Sequence, residues 1–104
     1  MGKNELDQNL RDFKNALEKV GIRVEKLILF GSHASGVAHE ASDIDLVVIS
    51  SDFVKKSYWE RIEILTDAIM TVMAPLEATA LTPDEWNSTN SFISDYAKNG
   101  VEVI

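Results

Sequence analysis

The chain has 104 residues, 45% of them apolar and 26% charged, with a formal net charge of −7 and no cysteine. That length suits one domain with one core, the lack of cysteine excludes disulfides and thiolate metal sites and agrees with a cytoplasmic setting, and no apolar run approaches the ~20 residues that span a bilayer. The acidic balance and the scattering of the ten Lys and Arg disfavour simple electrostatic binding of nucleic acid, so a polyanion such as a nucleotide calls for a metal cation as mediator.

The opening segment, MGKNELDQNLRDF, lacks the apolar core of a secretory signal. Leu6, Leu10, Phe13, Leu17 and Val20 then recur at spacings of four and three, which makes one face of a helix with its stripe in the core. Gly21 suits the C′ position after it. The segment VEKLILF at 24–30 reads as a strand, and its end, LILF, has no wet face, which predicts burial on both sides. Gly31-Ser32 stops that strand, and HASG at 33–36 forms a short helical turn before a polar loop. IDLVVIS at 44–50 is a second buried strand.

Between Ser57 and Met73, the residues Ile62, Leu65, Ile69 and Val72 keep helical spacing, with Ser57 as N-cap and Pro75 as the stop. LEATALT at 76–82 alternates as a third strand. Thr82 caps a short PDEW turn, where Pro83 takes the first helical position and Asp84 and Glu85 suit the helix dipole. NSFISDYAKN at 90–99 predicts a last helix closed by Gly100, and VEVI at 101–104 a terminal strand. Trp59 and Trp86 are assigned to core or helix packing rather than to base stacking. No repeat, low-complexity stretch or linker divides the chain, so residues 1–104 are expected to form one domain. The order α-β-(turn)-β-α-β-α-β predicts an α/β (α+β) fold, one sheet with helices packed on it.

The chemistry gathers where the second strand begins. Side chains two apart on a strand point the same way, so Asp43 and Asp45 aim their carboxylates at one spot while Ile44 and Leu46 take the other face. Two adjacent anions repel; a divalent cation removes the conflict, and hard carboxylate oxygens point to Mg²⁺ or Mn²⁺. Such sites are completed by water and substrate phosphate. Gly31-Ser32 offers the phosphate a seat, because Gly31 lets a ligand approach the backbone, Ser32 can donate its hydroxyl, and a helix starting there turns free N–H groups toward the same anion. Glu77 lies at an interior position of the third strand, where an unpaired carboxylate is costly; if that strand lies beside the second, Glu77 is the third acid. Taken singly, Asp43 and Asp45 also suit solvated residues before a strand, Glu77 an exposed strand residue, and Ser42 a local cap or turn former. Taken with Gly31, Ser32 and Gly36, the pattern favours a metal site. His33 and His39 are expected at the surface, and Lys55 and Lys56 as exposed lysines rather than phosphate contacts.

The stretch GSHASGVAHEASDIDLVV, residues 31–48, resembles the signature of the nucleotidyltransferase superfamily that includes DNA polymerase β: Gly-Ser, a second Gly, then Ser-Asp-x-Asp-Leu. The likeness is close over residues 27–49 and elsewhere holds at the level of element order. It is greatest to the minimal, MNT-type nucleotidyltransferases. The resemblance implies a palm-like mixed sheet, with Gly31, Ser32 and Ser42 binding the nucleotide and Asp43, Asp45 and Glu77 acting as metal ligands and catalytic groups. It implies transfer of NMP from an NTP, with ATP the expected donor, to a hydroxyl of a protein or small molecule, with release of pyrophosphate. The partner it implies is a helical HEPN-type protein, a ribonuclease toxin that this chain would silence by attaching AMP to a tyrosine; a second copy of the chain is the other expected partner. The sequence departs from many relatives at His33 and Ser35, which stand where GSRARG-type motifs carry arginines, and at Glu77, a Glu in place of Asp. Two alternatives accompany this expectation. One is a binding module that blocks its partner by contact alone; the other is an aminoglycoside-type transferase, against which the lack of an extra substrate domain argues.

Overall fold

In the computed structural model, residues 3–35, 43–88 and 100–103 are described. Helix α1, Lys3–Lys19, buries Leu10, Phe13 and Leu17. It ends in a Schellman turn: Gly21, at φ +90°, donates to the Glu18 carbonyl and Ile22 to that of Leu17, the arrangement that a glycine at C′ permits. Val20 falls beyond the helix and is 63% exposed, so it does not continue the core stripe; the turn has already swung the chain away from that face.

Strands β1 (Lys26–Phe30), β2 (Ile44–Ile49) and β3 (Leu76–Leu81) form a sheet with β4 (Val101–Glu102) in the order β3-β2-β1-β4. β1 is antiparallel to β2 and β4, and β2 is parallel to β3, which makes the sheet mixed as expected. The parallel β2–β3 pair needs a crossover. It is supplied by a 3₁₀ turn at Ser51–Phe53 and helix α3, Tyr58–Val72. Leu27, Leu29, Ile44, Leu46, Val48, Leu76 and Ala80 point to one face, where α1 and α3 cover them. Ile28, Val47 and Ile49 point to the other, packed with Phe30, Leu81 and Trp86. The central strands are thus buried on both faces, and LILF has the environment its composition requires.

Local signals also hold at the helix starts. Ser57 accepts from the Glu60 N–H while the Glu60 carboxylate accepts from that of Ser57, and Thr82 and Glu85 repeat this box at α4, Pro83–Asn87. Trp59 contradicts the packing assigned to it. It is 73% exposed and packs edge-to-face with the Tyr58 ring, because its side of α3 points away from both the sheet and α1. The helix expected at 90–99 lies outside the described residues. Arg61 was not singled out in the sequence, yet its side chain is 15% exposed. It donates to the Phe53, Lys56 and Ala80 carbonyls and to Glu85, tying the turn before α3 to the start of α4.

Leu46 sits fully buried at the centre of β2. Leu46→Ala is expected to destabilise the chain by about 2–5 kcal/mol, a large share of a domain's usual margin; the urea unfolding midpoint measures it.

Candidate active site

The three strand ends that carry the predicted site residues lie together. β1 runs antiparallel to β2 and β3 runs parallel to it, so the C-terminal end of β1 and the N-terminal ends of β2 and β3 share one end of the sheet. The register sets Phe30 and Glu77 on either side of Asp45. Directly paired residues share a face of the sheet, so Asp45 and Glu77 both point away from the core that α1 and α3 cover. Asp43 immediately precedes β2 and is exposed, while Asp45 is half-buried.

Glu77 bears the electrostatic consequence. Its carboxyl is held above the usual range, first by a hydrogen bond with Asp45, then by the negative charges of Asp43 and Asp45, and least by burial. A carboxyl can donate to a carboxylate only in its protonated form, so the hydrogen bond with Asp45 favours the neutral form of Glu77. This corrects the reason expected for Glu77. The side chain is exposed, on an edge strand, and the pressure on its charge comes from neighbouring anions rather than from desolvation.

Gly31 closes the site from the β1 side. Its φ is +72°, and a Cβ placed there would collide with the Asp45 carboxylate. Glycine is therefore required twice, by backbone conformation and by the space Asp45 occupies. The chain enters α2, Ser32–Ser35, directly, with the Ala34 N–H donating to the Gly31 carbonyl. Ser42, Gly36 and His39 lie outside the described residues. His33 is half-buried and already partnered within the chain. Lys55 and Lys56 follow the far end of six-residue β2, about 20 Å from the acids at the strand's 3.3 Å rise, which removes them from the site. Phe30 is the neighbour the sequence did not offer: half-buried, it walls Asp45 on the side opposite Glu77. Only the antiparallel register reveals it.

The donor set is entirely hard oxygen, the type that suits Mg²⁺ or Mn²⁺. Among the described residues, no three His, Cys, Asp or Glu side chains already stand together as a coordination shell. An Mg²⁺ ion that keeps its waters and binds substrate phosphate needs only one or two carboxylates, and the Asp45–Glu77 pair meets that lower requirement.

A pH dependence follows. The Glu77 pKa is raised in the folded chain, so its contribution to stability is full below the ordinary carboxylate pKa of 4.5 and is lost as pH rises through the raised value. In Glu77→Gln, that decline is expected to flatten, as checked by thermal melts from acid to neutral pH without divalent metal. Curves that stay parallel would contradict a raised Glu77 carboxyl.

Residues 10–86 match the nucleotidyltransferase domain family. The chain is similar to two candidate protein adenylyltransferases of Methanocaldococcus jannaschii. One is 39% identical over 67 residues, covering 64% of this chain and 43% of the relative; the other is 43% identical over 44 residues, covering 41% and 44%. The chain therefore spans less than half the length of either. Among solved structures, a candidate nucleotidyltransferase from Sulfolobus solfataricus superposes with a TM-score of 0.58 at 22% identity, covering 98% of this chain and 87% of that one. A chain of a toxin–antitoxin structure with AMP-PNP superposes at 0.61 and 17% identity, covering 88% and 69%. At those identities the two structures speak for the fold, and the family match covers the Gly31 turn together with all three acids. By sequence match and by architecture, this chain belongs to the nucleotidyltransferase domain family.

Proposed function

We propose that residues 1–104 form one nucleotidyltransferase domain that moves AMP from ATP to a hydroxyl on a partner protein, with Asp43, Asp45 and Glu77 as the acidic centre and Gly31, Ser32 and Ser42 at the nucleotide. The observation that carries this reading is the alignment of Asp45 with Glu77 across two parallel strands, against a glycine that leaves room for nothing larger. The names of the Methanocaldococcus relatives support a protein acceptor, the toxin–antitoxin neighbour supports a toxin as the partner, and the sequence resemblance makes that toxin a helical HEPN-type one. A cytoplasmic setting agrees with a chain without cysteine and with described helices too short and polar to cross a membrane.

In this reading Asp43, Asp45 and Glu77 would hold Mg²⁺ or Mn²⁺. When bound, the cation supplies charge neutralisation between these acids and the triphosphate. The residues of the chain do the rest. Gly31 lets the phosphates approach the backbone at the end of β1. Phe30 limits water on one side of Asp45. Glu77, which the register sets beside Asp45, is placed to take the acceptor's proton as the hydroxyl oxygen bonds to the α-phosphorus and the bond to pyrophosphate breaks. The products are AMP-acceptor, pyrophosphate and a proton.

The test incubates the full chain with ATP labelled in the α-phosphate and Mg²⁺ or Mn²⁺, with and without the product of the neighbouring gene. Label and a mass gain of one AMP on that gene product, with pyrophosphate released, are expected. No label and no pyrophosphate with either metal would overturn the transfer reading. His33 and Ser35, standing where related motifs carry arginines, favour one second reading, a module that blocks its partner by contact. Partner inhibition that survives loss of Asp43 and Asp45 would select it.

A further inference from the structure

Helix α3 carries more apolar surface than its own fold uses. Leu65 and Ala68 are buried in the main core. On the outer side, Trp59, Met70 and Met73 stand at i, i+11 and i+14 with the exposed Thr66 between them, while Ile62 and Ile69 beside them are half-buried and Ile69 packs on the main core. Trp59, Met70 and Met73 are 73%, 70% and 90% exposed. At 1.5 Å per residue, Trp59 and Met73 lie about 21 Å apart along the helix, and large apolar side chains left exposed on one side of it mark an interaction surface.

Its flank is acidic. Glu60, Glu63 and Asp67 are exposed alongside that surface. Among the described residues neither Glu63 nor Asp67 takes part in a salt bridge, and Arg61, the single basic residue of α3, is committed to Glu85 and backbone carbonyls. The same three acids rim a cleft of about 300 Å³ between α1 and α3 whose floor includes Ala16, Val20, Ile64 and Ala68. An apolar floor under an acidic rim fits the stem and head of Lys or Arg.

We propose that the outer face of α3 docks an amphipathic helix of a partner protein, one whose apolar stripe is flanked by Lys or Arg. A second copy of this chain fits poorly, because it would bring Glu60, Glu63 and Asp67 against their own duplicates. The surface ends at Met73, four residues before Glu77, a chain span of at most about 14 Å, so a helix seated on it is held at the catalytic end of the sheet. This deepens the protein-acceptor reading, and its test reads binding alone, so either can fail without the other.

The full chain is titrated by calorimetry with two synthetic helical peptides that share a leucine stripe and differ only in Lys or Glu flanks. The Lys peptide is expected to bind at least about tenfold more tightly, a difference of about 1.4 kcal/mol. Trp59→Ala with Met73→Ala is expected to weaken it by about tenfold or more, and Glu63→Lys with Asp67→Lys to reverse the preference. These positions are exposed, and unchanged circular dichroism verifies folding. Equal affinity for the two peptides, no binding of the Lys peptide, or unaltered binding by the Trp59/Met73 variant would each overturn the proposal. So would a dimer in sedimentation that the Trp59/Met73 variant dissolves, since that would assign the face to a second copy.

Discussion

Replacing Asp43 and Asp45 together by alanine is expected to lower AMP transfer by at least about 1,000-fold while leaving the melting temperature unchanged or slightly raised. The size of the rate loss reflects what charge stabilisation contributes in phosphoryl and nucleotidyl transfer, where a single oriented group is commonly worth about 100–1,000-fold. The stability side follows from the position of the acids. Asp43 is exposed, Asp45 half-buried, and both add negative charge beside Glu77, whose carboxyl is already pushed upward by them. Removing them relieves repulsion in the metal-free chain and opens no cavity in the main core. Activity and stability therefore move in opposite directions, as they do where a site is held together against its own electrostatics. Single-turnover transfer and thermal melts on the same preparations measure both. Asp45→Asn alone, which keeps the shape and removes the charge, is expected to reproduce most of the rate loss. Full activity in Asp45→Asn would remove the carboxylate from the chemistry.

Gly31→Ala has the second largest expected effect. An alanine there must hold φ near +72° and also place its methyl where the Asp45 carboxylate lies. The backbone conformation costs about 1–2 kcal/mol for a residue with a Cβ. The collision is met by displacing Asp45, whose carboxylate is the flexible partner. Misplacing a reacting group by about 1 Å commonly costs about 100-fold in rate, so transfer is expected to fall by roughly that factor, with a modest drop in melting temperature. A double-mutant cycle isolates the contact. In an Asp45→Ala background the backbone cost of Gly31→Ala remains and the steric part disappears, so its destabilisation shrinks. If the penalty is identical in both backgrounds, Asp45 does not pack against Gly31.

The site is legible in the sequence as far as it is local. The i, i+2 spacing sets Asp43 and Asp45 at the start of one strand, with Asp43 just before it, and a Gly-Ser step after an apolar run is a turn in any fold. Ser57, Thr82 and Gly21 act on backbone groups within a few residues, so their roles as helix caps and stop survive whatever the rest of the chain does. Val20 and Trp59 show where such reasoning ends. Periodicity reports the direction a side chain takes from its own element, whereas burial depends on what another element places in that direction. Arg61 is the converse, a charged residue half-buried because the Phe53, Lys56 and Ala80 carbonyls and Glu85 converge on it.

The sequence by itself determined the strands, the helix caps and the family that the Gly-Ser motif implied, because each is written in residues close together along the chain. Only the tertiary structure decided that Glu77 lies beside Asp45, that Gly31 is shaped around that carboxylate, that Phe30 walls it, and that one side of α3 is left bare. Those features depend on strand order and register across dozens of residues, where long-range packing, rather than local preference, chooses the neighbour.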